Sequence, residues 1–414
     1  MKENKQALYR AREKRIMDAV ALAKPDRVPV TASFYFFPAR YYGCSFQEMM
    51  YDLDKSYDVN LKALQEFEPD LAQSPFGVIL PASVMDVLDY RQMAWPGGQL
   101  GPNVPFQFVE GEYMKAEEYD HFLSDPNDFV IRKYWPRISG SLQAFGNFPP
   151  FQNATTYMSM GIVSLFSSPE MQSLLDTLKK AGREFKRFNT YARRFEKKMK
   201  QEGFFTQTGG LTQAPFDTLG DFLRGTKGMM LDMFRRPEMV IKACEKLLPM
   251  EIERGISSAR RTGGKFVFIA LHKGLDGFMS QPQFDKFYWP TLRELIIALI
   301  DAGLVPYVFW EGRCTSRLES MKDIPAGKAM YRFEATDMFK AKDVLKDRVC
   351  IRGNVPISLL ATGTPEEVRA YCKNLIDYVG KDGGFIMDAA AHVTEAKPEN
   401  LKAMFEFTKD YGTY

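Results

Sequence analysis

The chain holds three histidines, and two of them, His272 and His392, stand among polar residues that follow short β-rich runs. In chain order these residues are Tyr35 to Tyr41, Ser74, Gly209 and Gly210, His272 with Lys273, Glu311, Glu334 with Asp337, Asn354, and Asp388 with His392. Imidazoles and carboxylates that converge on one place suit proton transfer or the ligation of a divalent metal. The alternative for both histidines is a ring satisfied by polar neighbours at a rim. His121 lies in the charged stretch EEYDHFLSDP and reads as a surface residue.

Bringing such residues together requires a repeated unit, and the chain has one. β-rich runs recur at 28–34, 70–76, 204–209, 265–271, 304–310, 329–334, 348–353 and 383–388, each followed by a stretch of helical period. Eight strand and helix units imply a closed parallel barrel, an α/β fold of the (β/α)8 TIM type, with its chemistry at the C-terminal ends of the strands. Several runs are almost continuously apolar, as strands covered on the outside by helices are. Thr364, Pro365 and Glu367 predict a capping box and the start of a helix. Ser280 starts and Gly303 stops another, with Leu292, Leu295, Ile296 and Leu299 at helical spacing. An open doubly wound sheet alternates in the same way, but no G-x-G-x-x-G follows an early strand.

The 414 residues read as one barrel domain with an N-terminal helical extension and an insertion over 112–203, between the second and third strands. The first part of the insertion, 128–166, carries Tyr134, Trp135, Phe145, Phe148, Phe151, Tyr157, Met158 and Met160. It suits a lid over an apolar substrate, or a packed satellite or a homodimer contact. The second part, 170–200, predicts an amphipathic helix with Phe185, Phe188, Ala192, Phe195 and Met199 on one face. Lys179, Lys186, Arg187, Arg194, Lys197 and Lys198 surround the other, a solvated face or a docking surface for an acidic partner.

A net charge of +3 is small for this length and argues against a general nucleic-acid binder. The five cysteines are scattered with no C-x-x-C, which excludes a disulfide framework and a four-cysteine zinc module. The start, MKENKQALYRAREKR, lacks the apolar run of a signal peptide, and no stretch of about 18 apolar residues occurs. A cytoplasmic protein without a membrane segment is expected.

Three stretches resemble the uroporphyrinogen decarboxylase superfamily: RIMDAVALAKPDRVPVTASFYFFPARYYG, GGLTQAPFDTLGDFLRGTKGMMLDMFRRPEMV, and RGNVPISLLATGTPEEV with GGFIMDAAAHVTEAKPENLKAM. The resemblance covers most of the chain except roughly 112–200. It implies a (β/α)8 barrel and either a heme-pathway decarboxylase or a methyltransferase that serves a corrinoid carrier. The decarboxylases look like RQAGRY in the first loop and F-S-D-I-L after the second strand. This chain keeps Arg40 and Tyr41 in FPARYYG but has Val78 in PFGVIL where the substrate-binding Asp stands, which speaks against porphyrinogen decarboxylation. The thiol-methylating members look like H-I-C-G after the fifth strand, with a further zinc-binding Cys after the eighth. Here the first reads Phe309-Trp310-Glu311-Gly312 and Ala390 replaces the second.

Against that resemblance, Glu311, Glu334 and His392 form a candidate zinc site with an open position, with Cys314 in reserve. The competing reading pairs the two glutamates with Arg313, Arg332 or Arg352. The expected activity is methyl transfer from a methoxylated aromatic to the cobalt(I) corrinoid of a partner protein, since no D-x-H-x-x-G stretch of a corrinoid-binding domain is present. In that reaction the leaving oxygen must be protonated or bound to a Lewis acid, with His272 and Glu311 as the catalytic candidates. Tyr35, Arg40 and Lys273 are the substrate-binding candidates. A decarboxylase-like lyase, transfer to a thiol or a folate, and a non-enzymatic binding protein are the alternatives.

Overall fold

The computed structural model describes residues 2–150, 156–207 and 209–414. A short antiparallel hairpin pairs β1 (Met93–Ala94) with β2 (Gln107–Phe108). The main sheet is parallel and runs in sequence order through β3 (Gly209–Gln213), β4 (Phe266–Leu271), β5 (Val305–Trp310), β6 (Met330–Phe333), β7 (Cys350–Val355) and β8 (Phe385–Ala389).

Two extended segments close this sheet. Val30 bridges to Met387 of β8, and Ala72 bridges to Thr206 just before β3. Asp70 N–H donates to Val30 O at 2.9 Å, which joins the two segments to each other. The eight positions complete the (β/α)8 barrel implied by the sequence. The expected strands at 28–34 and 70–76 are thus reduced to single bridges. Pro29 and Pro75 have no N–H to give to a ladder, and the chain turns into a 3₁₀ helix at Pro75–Gly77. The third strand runs on to Gln213, past the expected end at 209.

Alternation along the strands separates an inner layer from an outer one. Phe266, Tyr307, Met330, Cys350 and Ile386 point inward and pack with Ile16, Ala19 and Val20 of the helix Lys2–Val20, which stoppers the N-terminal end of the barrel. Val267, Ile269, Val308, Trp310, Tyr331, Ile351 and Met387 face outward into the large core shared with the surrounding helices. Trimming the stopper with Ile16→Ala is expected to cost about 2–5 kcal/mol in urea unfolding. A loss well under 1 kcal/mol would mean that this helix lies outside the cooperative core.

In the interval between the second and third barrel positions, the helix Pro169–Gln201 buries Met171, Leu174, Ala181, Phe188, Phe195 and Met199. Phe185, expected on that face, is 48% exposed. The aromatic part forms a small separate core in which Leu142, Ala144 and Phe148 pack on Met171 and Leu174, with Trp135 and Phe145 against them. Tyr157 and Met160 stand largely exposed on the helix Thr156–Leu165. Phe151 lies outside the described residues, as does the side chain of Met158. No helix among the described residues is long and apolar enough to cross a membrane.

Candidate active site

The loop after β3 shapes one wall of the barrel mouth. Pro215 starts a tight turn, Pro215–Asp217, that runs into the helical segment Thr218–Arg224, so Asp217 and Asp221 sit one turn apart and project the same way. Asp217 receives two main-chain amides at the end of β4, from His272 N–H (3.1 Å) and Lys273 N–H (3.0 Å), and the Tyr288 hydroxyl at 2.6 Å. Burial, and then the nearby charge of Asp221, push the Asp217 carboxyl up to about 7.

Asp221 holds the two side chains whose backbone Asp217 fixes. Its Oδ2 lies 2.5 Å from His272 Nδ1, and its Oδ1 lies 3.3 Å from Lys273 Nζ. Lys273 also donates to Thr226 at 2.6 Å. On the far side of the imidazole, Glu311 Oε1 is 3.6 Å from Nε2. Burial works against a charged ring here, but the hydrogen bonds and charges of Asp221 and Glu311 outweigh it and push His272 up to about 11. His272 is therefore an imidazolium across the physiological range, with a proton at a partly open position.

The opposite wall is different in kind. Arg332 of β6 and Arg352 of β7 point inward and meet Asp388 of β8, with Nε to Oδ2 separations of 3.0 and 2.7 Å. All three are at most 1% exposed. Phe309 covers one guanidinium at 4.4 Å and Tyr307 the other at 4.6 Å. Above them His392 stacks on Tyr35 with ring centres 5.2 Å apart, and its Nδ1 is 2.6 Å from the Ser33 hydroxyl oxygen. Burial and then the charges of Arg332 and Arg352 push His392 down to about 3, so this ring is neutral. Two histidines at one mouth are held in opposite protonation states.

The expected metal ligands are not assembled. Among the described residues no group of three or more His, Cys, Asp and Glu side chains is placed to hold a metal ion. Glu311 is turned to His272, Glu334 accepts the Gly312 N–H at 2.6 Å, and His392 is tied to Ser33. Gly312 permits that contact through its left-handed φ of +71°. Cys314, the reserve ligand, is fully buried, and burial followed by the charge of Asp276 pushes its thiol up to about 12; its Sγ lies 3.7 Å from Glu311 O.

Nor do Arg332 and Arg352 pair with the glutamates, because Asp388 takes both. Arg40 meets Glu395 at 2.8 Å on the exposed rim. His121 is more than a loose surface residue, since Nε2 lies 2.6 Å from Asp128. Asp217 and Asp221 were missed by reading only strand ends, although their i, i+4 spacing in FDTLGD directly after a strand was the available signal.

The uroporphyrinogen decarboxylase (URO-D) family model matches residues 166–411. Similar curated proteins include the uroporphyrinogen decarboxylase of Chlorobium phaeovibrioides, 28% identical over 185 residues that cover 43% of this chain and 51% of the relative. That of Chlorobaculum parvum is 23% identical over 194 residues, with the same 43% and 51% coverage. The chain spans about half the length of the curated relatives it matches. A methyltransferase from Methanosarcina mazei shares the fold over 97% of this chain and 98% of its own, with a TM-score of 0.62 at 13% identity. With the family model covering more than half of the 414 residues, the chain belongs to the uroporphyrinogen decarboxylase family.

Proposed function

We propose that the chain is a methyltransferase that moves the methyl group of a methoxylated aromatic compound to the cobalt(I) corrinoid of a partner protein. The observation that carries this reading is the His272 imidazolium, held between Asp221 and Glu311 at the ends of β4 and β5. Breaking an aryl methyl ether leaves an electron pair on oxygen, and the resulting phenolate is a poor leaving group until it is protonated or hydrogen-bonded. His272 is placed to donate a charge-assisted hydrogen bond to that oxygen as the bond breaks, while Asp221 fixes the ring and balances its charge. Glu311, 3.6 Å from Nε2, adds a second negative charge that keeps the ring protonated. The corrinoid supplies the nucleophile as a co-substrate, and this chain supplies the hydrogen bond, the orientation and a mouth walled by Tyr35, Phe106 and Phe309.

A zinc ion on Glu311, Glu334 and His392 does not fit the arrangement of these side chains, and an acid such as His272 serves the leaving oxygen without one. Lys273 is proposed to hold the substrate beside His272, with Arg40 at the outer rim. The basic face of the helix Pro169–Gln201 is the proposed approach surface for the partner.

The test combines the purified protein, a cobalt(I) corrinoid protein and a methoxyarene, and follows methylation of the cobalt together with the demethylated phenol. The expected result is transfer that His272→Gln abolishes. Transfer that persists unchanged in that variant would sink the role given to His272. Release of carbon dioxide from a porphyrinogen, with no methyl transfer, would favour a lyase instead.

A further inference from the structure

The methyl transfer proposed above makes no use of His392, yet this ring too is held in one orientation. The Ser33 hydroxyl donates to Gln73 Oε1 at 2.6 Å, and its oxygen is also 2.6 Å from His392 Nδ1. A serine hydroxyl has one proton, and it is already given to Gln73. Ser33 can only accept from the imidazole, which places the ring's proton on Nδ1 and leaves Nε2 bare.

The charges facing the ring keep it neutral. Arg332 and Arg352 lie beneath it, with Asp388 between them, and both guanidiniums disfavour a second proton. Among the described residues Nε2 has no hydrogen-bond partner, and the ring is only partly buried. Its flanks are aromatic: Tyr35 is stacked on it, Phe309 stands edge-on at 6.1 Å, and Phe106 packs on Tyr35 at 5.3 Å. A bare ring nitrogen flanked by aromatic rings suits a flat molecule that carries a hydrogen-bond donor.

We infer that His392 Nε2 accepts a hydrogen bond from a phenolic hydroxyl of the substrate, so that the donor class is the hydroxylated methoxyarenes rather than fully methylated ones. The inference rests on the methoxyarene reading for its substrate and on the Gln73, Ser33 and His392 chain for its geometry. Ser33 and Gln73 act as positioning residues that fix the tautomer.

With three histidines in the chain, nitrogen-15 NMR of the imidazoles is directly assignable through a His392→Phe variant. At neutral pH the parent is expected to show a protonated Nδ1 and a bare Nε2 for His392. Added 2-methoxyphenol is expected to shift that Nε2 signal and to bind about tenfold tighter than 1,2-dimethoxybenzene, the size of one hydrogen bond. His392→Phe is expected to erase the preference.

A protonated Nε2 in the parent overturns the inference, and so does equal affinity of the parent for the two compounds. Neither readout needs turnover, and both stand on the parent alone if the variant does not fold. A tenfold preference without any methyl transfer keeps this inference and removes the reading it rests on. Transfer from both compounds at equal affinity does the reverse.

Discussion

Replacing Asp221 by Asn is expected to lower kcat/KM for methyl transfer by about 10²–10³, within the range for loss of a positioned general acid. The substitution keeps the shape of the side chain and removes the charge that holds the proton on His272. The pH profile carries the sharper signature. In the parent, activity is expected to persist far into the alkaline range, because Asp221 and Glu311 push His272 up to about 11. In the variant the alkaline limb is expected to move down toward the ordinary imidazole range, since burial then acts with less opposition. An unchanged limb would show that the observed activity does not depend on the His272 proton. The same pairing ties stability to pH. The folded state binds this proton more tightly than the unfolded chain, so its contribution is complete below about pH 6.5 and fades as pH rises through 11.

Removing the buried Asp388 carboxylate acts on stability rather than chemistry. Asp388→Ala leaves Arg332 and Arg352 with no carboxylate between them, both at 1% exposure. Stripping one partner from such a buried ionic group is expected to cost about 3–5 kcal/mol, measured as a lowered midpoint in urea. Replacing all three residues together by apolar ones of similar volume is expected to cost less than Asp388→Ala alone. If the triple variant is the less stable of the two, the charges contribute more than they cost to bury.

The eight barrel positions were legible because a strand sheathed by helices must be apolar on both faces, and 265–271 and 304–310 read that way without help from neighbours. The first two positions were found in the right places, but their reduction to single bridges depends on which N–H groups face a partner, and that is a property of the closed sheet. His272, Lys273 and Glu311 were identified from their places at strand ends and do converge. Glu334 and His392 were identified in the same way, yet each is held by a local donor or acceptor, Gly312 and Ser33, whose alignment no linear spacing reveals. The contact between Arg332 and Asp388 is compatible with strand parity. Met330 and Arg332, Cys350 and Arg352, and Ile386 and Asp388 each fall two apart, so all six point inward together.

The helix Lys2–Val20 has a kinetic corollary. With one end of the barrel stoppered by that helix, the opposite mouth is the single doorway for entry and exit, and in the proposed reaction the corrinoid partner would have to seat over it. On that proposal the small molecule would arrive before the partner, and the demethylated product would leave only after the partner lifts off. The expected consequence of the proposal is a compulsory order of turnover, in which raising the partner concentration beyond saturation slows the release of product instead of speeding the cycle.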